Sequence, residues 1–203
     1  MTDTIAPDRD PSIFPEGTAS AAHARGGAGG LAGRVGALLR QAVWQIWVNQ
    51  IAAWSIWPGR IRRIMLNAAG MDIRTNGISA HCHFTNADVQ VGAFSYINEG
   101  FYGDARGGIL LGERVGLGPR VMIITSTHKR GPARQRTGAH VAKRVTIGDG
   151  SAVAAGAQIH AGVTLGRGTI VAAGSVVFRS IRAGRLASGV PAKEIYDYAD
   201  VDD

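Results

Sequence analysis

Residues 145–178 read VTIGDG SAVAAG AQIHAG VTLGRG TIVAAG SVVF, and the third residue of every block of six is a large aliphatic: Ile147, Val153, Ile159, Leu165, Val171 and Val177. An amphipathic helix repeats its apolar positions every three or four residues, and a half-buried strand every two. A period of six fits a prism of three flat parallel sheets instead. Each hexapeptide then supplies one short strand and one corner, and three of them complete a coil. The aliphatic fills the interior, and the small residue after it (Gly148, Ala154, Gly166, Ala172) fits the turn.

The grid extends upstream. Leu111, Leu117 and Ile123 keep the spacing, and Val91 and Ile97 precede them across a slip of two residues. The separation of Ile123 and Ile147 is again a multiple of six, with Val141 on the same grid. Between them KRGPARQRTGAH, residues 129–140, has no aliphatic at the expected points and is expected to loop out directly after His128. Loops projecting from a rigid scaffold are favoured places for binding and chemistry, and the basic residues Lys129, Arg130, Arg134, Arg136 and Lys143 suit either phosphate contact or a solvated surface. The fold class expected is mainly β, a left-handed parallel β-helix over 71–195. A helical segment at 35–70 and a disordered Gly/Ala-rich stretch at 1–34 precede it, and an acidic tail at 196–203 follows.

Before the repeats, Leu39, Val43, Ile46, Trp47, Gln50 and Trp54 fall near helical spacing, which predicts one amphipathic helix ending before Pro58 and a second, basic one from about Arg60 to Ala69. Gln45, Asn49, Gln50 and Ser55 interrupt the apolar run, which argues against a membrane span. The Trp-rich face with Arg60, Arg62 and Arg63 is expected to pack within an oligomer, with peripheral contact to an anionic membrane as the lesser reading. The N-terminus is acidic and Pro-containing and does not read as a secretory signal. Cys82 is the only cysteine, so no disulfide can form within the chain and a reducing, cytoplasmic setting is expected. A formal charge of +7 favours anionic partners, but no aromatic-basic module or recognition motif points to nucleic acid.

Three runs together resemble the hexapeptide-repeat acyltransferases, specifically the maltose, galactoside and nodulation-sugar O-acetyltransferases: INEGFYGDARGGILLGERVGLGPRVMIITSTH (97–128), VTIGDG through FRSI (145–181) and GVPAK (189–193). The resemblance implies a homotrimer with active sites between subunits and acetyl-CoA as acyl donor, with no metal required. It implies that His128, closing the V-x-I-x-T-x-T-H run, is the catalytic base and that Asn98 binds the acceptor. It places Ala155, Ala173, Arg179 and Lys193 at the CoA site. The chain departs from the family at Ala152–Ala154, where an aromatic is usual, at Phe178, and at Arg106, where the galactoside enzymes carry an acid.

Histidine suits the chemistry, because an alcohol becomes a competent nucleophile only as its proton is removed near neutral pH. The expected acceptor is a sugar or glycosylated small molecule, and lost bulk at Ala152 suggests room for an acyl group larger than acetyl. A zinc enzyme of the γ-carbonic-anhydrase type and a non-catalytic β-helix scaffold are the competing readings. The first would need three converging histidines, and His81 with His83 is a weak metal signal. Asn98 can alternatively be a turn or ladder asparagine, and Cys82 reads as a structural thiol.

Overall fold

The computed structural model describes residues 31–198; the segment expected to be disordered lies, up to residue 30, outside the described residues, as do the last five residues of the acidic tail. Three parallel sheets form the faces of a prism. The first face stacks β1 (Asp72–Ile73), β4 (Val89–Val91), β7 (Ile109–Leu111), β12 (Val145–Ile147) and β15 (Thr164–Leu165), continued by a bridge to Ile181. The second stacks β2 (Gly77–Ile78), β5 (Tyr96–Ile97), β8 (Gly116–Leu117), β13 (Ala152–Val153), β16 (Ile170–Val171) and β18 (Arg185–Gly189), ending on antiparallel β19 (Ala192–Asp197). The third stacks β3 (His83–Phe84), β6 (Tyr102–Asp104), β9 (Met122–Ile124), β14 (Gln158–His160) and β17 (Val176–Val177). The expected parallel β-helix of hexapeptide repeats, preceded by helices, is what the chain forms.

The register follows from the repeat. Val153 lies between Leu117 and Val171, and Ile159 between Ile123 and Val177, so aliphatics one coil apart stack directly. All are buried, each stabilising by about 1.5–3 kcal/mol relative to exposure. The small polar residues of the repeat serve the corner between the first and second faces. Ser95 Oγ donates to the Gly112 carbonyl (2.8 Å) and accepts the Val115 N–H (2.9 Å); Ser151 does the same with Gly166 and Thr169. Each buried hydroxyl thus ties one coil to the next.

Two features differ from the sequence reading. A full coil, Ile73, Ile78 and Phe84, precedes Val91, and its spacings of five, six and seven hide it from a strict six-residue grid. Val141 belongs to no coil: it pairs with Thr127 in an antiparallel ribbon, β10 (Ser126–Arg130) and β11 (Thr137–Ala142), so its place on the grid is coincidental. The two-residue slip is accommodated at Ala105–Gly108. Gly103 occupies the interior position of β6 because the Phe101 ring fills that space, lying 2.8 Å from where a Cβ would be.

Helix α1 (Leu31–Ile46) runs into a π-helical turn, Trp47–Ala52, and α2 (Gly59–Ala68) follows Pro58. They cap the first coil. Trp44 Nε1 donates to the Phe84 carbonyl (2.8 Å), and the Asn49 amide both donates to that carbonyl and accepts the Phe84 N–H. Buried Arg62 donates to the carbonyls of Ala52, Ile78 and Trp54 at 2.8–2.9 Å, replacing water with three charge-assisted hydrogen bonds.

Candidate active site

The corner between the second and third faces carries most of the predicted binding residues. At successive levels it contains His81, Asn98–Gly100, Pro119–Arg120 and Ala155–Gly156, which line an open cleft of about 730 Å³. Ala173–Gly174 forms the next level, with the Gly174 N–H donating to the Ala155 carbonyl at 2.9 Å. The corner turns through left-handed backbone at His81, Gly100, Arg120, Gly156 and Gly174, and glycine adopts that conformation without steric cost. Ala155 and Ala173 are exposed, so the column offers backbone and methyl groups with little bulk. Close stacking enforces this: a Cβ at Gly118 would meet the Ala155 nitrogen at 2.7 Å. Asn98 Oδ1 accepts the Glu99 N–H (2.9 Å), leaving its amide NH₂ as the part available to a ligand. Asn98 is half-buried, and its side chain caps its own turn rather than joining an asparagine ladder. Lys193, exposed on β19, pairs with Ser188, and the Gly189 N–H beside it donates to Ser175 Oγ, so this hairpin reaches the far end of the same corner.

His128 and Arg179 stand at the opposite edge of the third face. His128 does not close the coil strand, as the sequence suggested; β9 ends at Ile124 and His128 lies inside the ribbon, paired with His140. The two rings meet edge to face with centroids 5.5 Å apart, and His128 is exposed. The ribbon is anchored. Thr125 Oγ1 accepts the Gly107 N–H (2.7 Å) and donates to the Asp104 carbonyl, while the Lys143 N–H donates to the Thr125 carbonyl. The buried Asp104 carboxylate accepts the Ser126 N–H (3.0 Å) and the Ser126 hydroxyl, two residues before His128. Asp104 was missed by sequence reasoning; its one signal was its place beside the two-residue slip. Arg179 is exposed at the same corner, next to Phe178, whose ring lies 4.3 Å from that of His160. Burial lowers the His160 pKa and leaves its Nε2 without a partner.

One chain therefore brings together Asn98, Ala155, Ala173 and the Lys193 hairpin, but not His128. The third face, two or three residues wide or roughly 10 Å, separates the two groups. Cys82 is buried against the Ala80 and Asn98 carbonyls, and burial pushes its thiol up to about 12, which suits a structural cysteine. His83 stacks flat on Tyr102 and, with His81, Asn49, Gln50 and Trp54, borders a second cleft of about 600 Å³ that meets the first at His81. Among the described residues, no three His, Cys, Asp or Glu side chains gather as a metal site within one chain.

The family described as bacterial transferase hexapeptide (six repeats) matches residues 144–179. No curated protein matches by sequence. Among solved structures, a hexapeptide-repeat acetyltransferase from Vibrio cholerae complexed with acetyl coenzyme A superposes with a TM-score of 0.70 at 22% identity, covering 85% of this chain and 93% of that one. A maltose O-acetyltransferase from Clostridium difficile gives 0.67 at 22% (81% and 89%), and a galactoside acetyltransferase in complex with coenzyme A gives 0.66 at 19% (82% and 84%). At these identities the likeness is one of fold. By its repeat and its architecture, the chain is a hexapeptide-repeat protein with the fold of those acetyltransferases.

Proposed function

We propose that the protein is an acetyl-CoA-dependent O-acetyltransferase acting on a sugar or glycosylated small molecule, with His128 as general base. The observation carrying this is the division of the site: a small-residue column with Asn98 at one edge of the third face, and a histidine on an anchored ribbon at the other. A threefold assembly that sets one subunit's ribbon against the next subunit's column unites them, and closed cyclic symmetry is a common arrangement for such chains. The column fits the donor, since exposed Ala155 and Ala173 let an extended pantetheine arm lie along the backbone, and Lys193, with the neighbouring subunit's Arg179 brought in beside its ribbon, suits the phosphates.

In this reading the Asn98 amide orients the acceptor hydroxyl and His128 removes its proton as the oxygen attacks the thioester carbonyl. The imidazolium returns the proton to the departing thiolate, giving the acetyl ester and free CoA with no acyl-enzyme. The experiment is release of free thiol from acetyl-CoA by wild type and His128→Ala across a panel of sugars and glycosides. Turnover that falls by about 10²- to 10⁴-fold in the variant is expected. Full turnover by His128→Ala would overturn the mechanism, and no binding of acetyl-CoA would overturn the class. The same assay with propionyl- and butyryl-CoA tests the room left at Ala152, and strict acetyl preference would refute a wider acyl site.

A further inference from the structure

Helix α1 has two apolar faces, and among the described residues only one is used by its own chain. Trp44, on the inner side, packs on the core and donates to the Phe84 carbonyl, and Val48 in the following turn is buried. The opposite side holds Val35, Leu38, Leu39, Val43 and Ile46, at the i, i+3, i+4, i+8, i+11 spacing of one helical stripe. These five are 46–66% exposed, and Trp54, Ile56, Ile61 and Ile64, in the helical segment beyond α1, are exposed as well. The Trp44 contact fixes which way the stripe faces, so it is a built surface rather than a rotating one.

Charge identifies the occupant. Residues 31–71 contain five arginines and no Asp or Glu; Arg62 is consumed in the cap, while Arg34, Arg40, Arg60 and Arg63 remain at or near the surface. On a helical wheel Arg34 and Arg40 flank the α1 stripe on either side. The rest of the described chain, residues 72–198, is basic too, with fifteen Lys and Arg against eight Asp and Glu. The described part of a second copy thus carries no net acidic charge to complement the stripe. No helix among the described residues is long and apolar enough to cross a membrane, so the stripe suits lying on a bilayer.

We infer that the outer face of α1, with its flanking arginines, docks the protein on an anionic lipid bilayer, the stripe entering the headgroup boundary and the arginines pairing with lipid phosphates. The test is co-sedimentation of the full chain with vesicles of pure phosphatidylcholine and of phosphatidylcholine containing about one third phosphatidylglycerol. Binding is expected only with the anionic vesicles, and high salt should weaken it. Arg34→Glu/Arg40→Glu should lower partitioning by at least about 25-fold, at about fivefold for each arginine removed from an anionic surface. Leu39→Glu/Val43→Glu should abolish it; both positions are exposed, and retained far-ultraviolet circular dichroism and melting temperature verify the fold. Failure of the wild type to bind anionic vesicles overturns the inference, as does binding unchanged by Leu39→Glu/Val43→Glu. A drop in oligomeric mass caused by that variant would assign the face to a second copy instead. None of these outcomes depends on acetyl transfer.

Discussion

At the residue scale, His128 is an exposed imidazole on a ribbon whose base is held by Asp104, and that pairing separates positioning from chemistry. Asp104→Asn retains the shape but weakens the charge-assisted bonds to Ser126, so kcat should fall several-fold while KM for acetyl-CoA holds. An equal change in both would make Asp104 a general structural residue. Cys82→Ala should keep kcat, and folded wild type should resist alkylation at mildly alkaline pH, because burial holds the thiol protonated. Rapid modification of the native protein would contradict this. His160 and His83 provide a pH test. Burial lowers both below the ordinary imidazole value of 6.5, so the unfolded chain binds more protons just under that pH. Their contribution to stability is full above about 6.5 and is lost as pH falls through it, levelling off below the depressed folded value. Melting temperature measured down this range should drop, and His160→Phe, which keeps the ring against Phe178, should flatten the drop.

At the element scale, the coils were legible because each hexapeptide puts one aliphatic inside, and most add a small residue in the turn or a hydroxyl at a corner. The first coil was not, since Ile73, Ile78 and Phe84 are unevenly spaced and their burial depends on the helical cap above them. The ribbon was visible only as a gap in the grid. Its antiparallel pairing depends on Thr125, Gly107 and Asp104, polar contacts that no periodicity reports. The second-corner column was named residue by residue through resemblance, whereas its cleft partners Pro119, Arg120 and Gly156 follow only from the stacking of coils. Because that stacking is tight, Gly118→Val should destabilise the fold and expose it to proteolysis, its Cβ meeting the Ala155 nitrogen at 2.7 Å. Wild-type protease resistance in this variant would show that the corner can relax.

At the scale of the whole molecule, the prism puts His128 and the Asn98 column on different edges of one face, so the account requires a site shared between neighbouring subunits. Co-expression of His128→Ala with Ala155→Trp, whose indole would fill the column, tests this directly. Each variant alone should be nearly inactive. In mixed trimers of the proposed kind, random assembly of equal amounts leaves about one quarter of the sites with an intact histidine from one subunit and an intact column from the next. Recovery to about that fraction of wild-type thiol release is expected; mixed assemblies that stay inactive would contradict a shared site, placing histidine and column in a single chain.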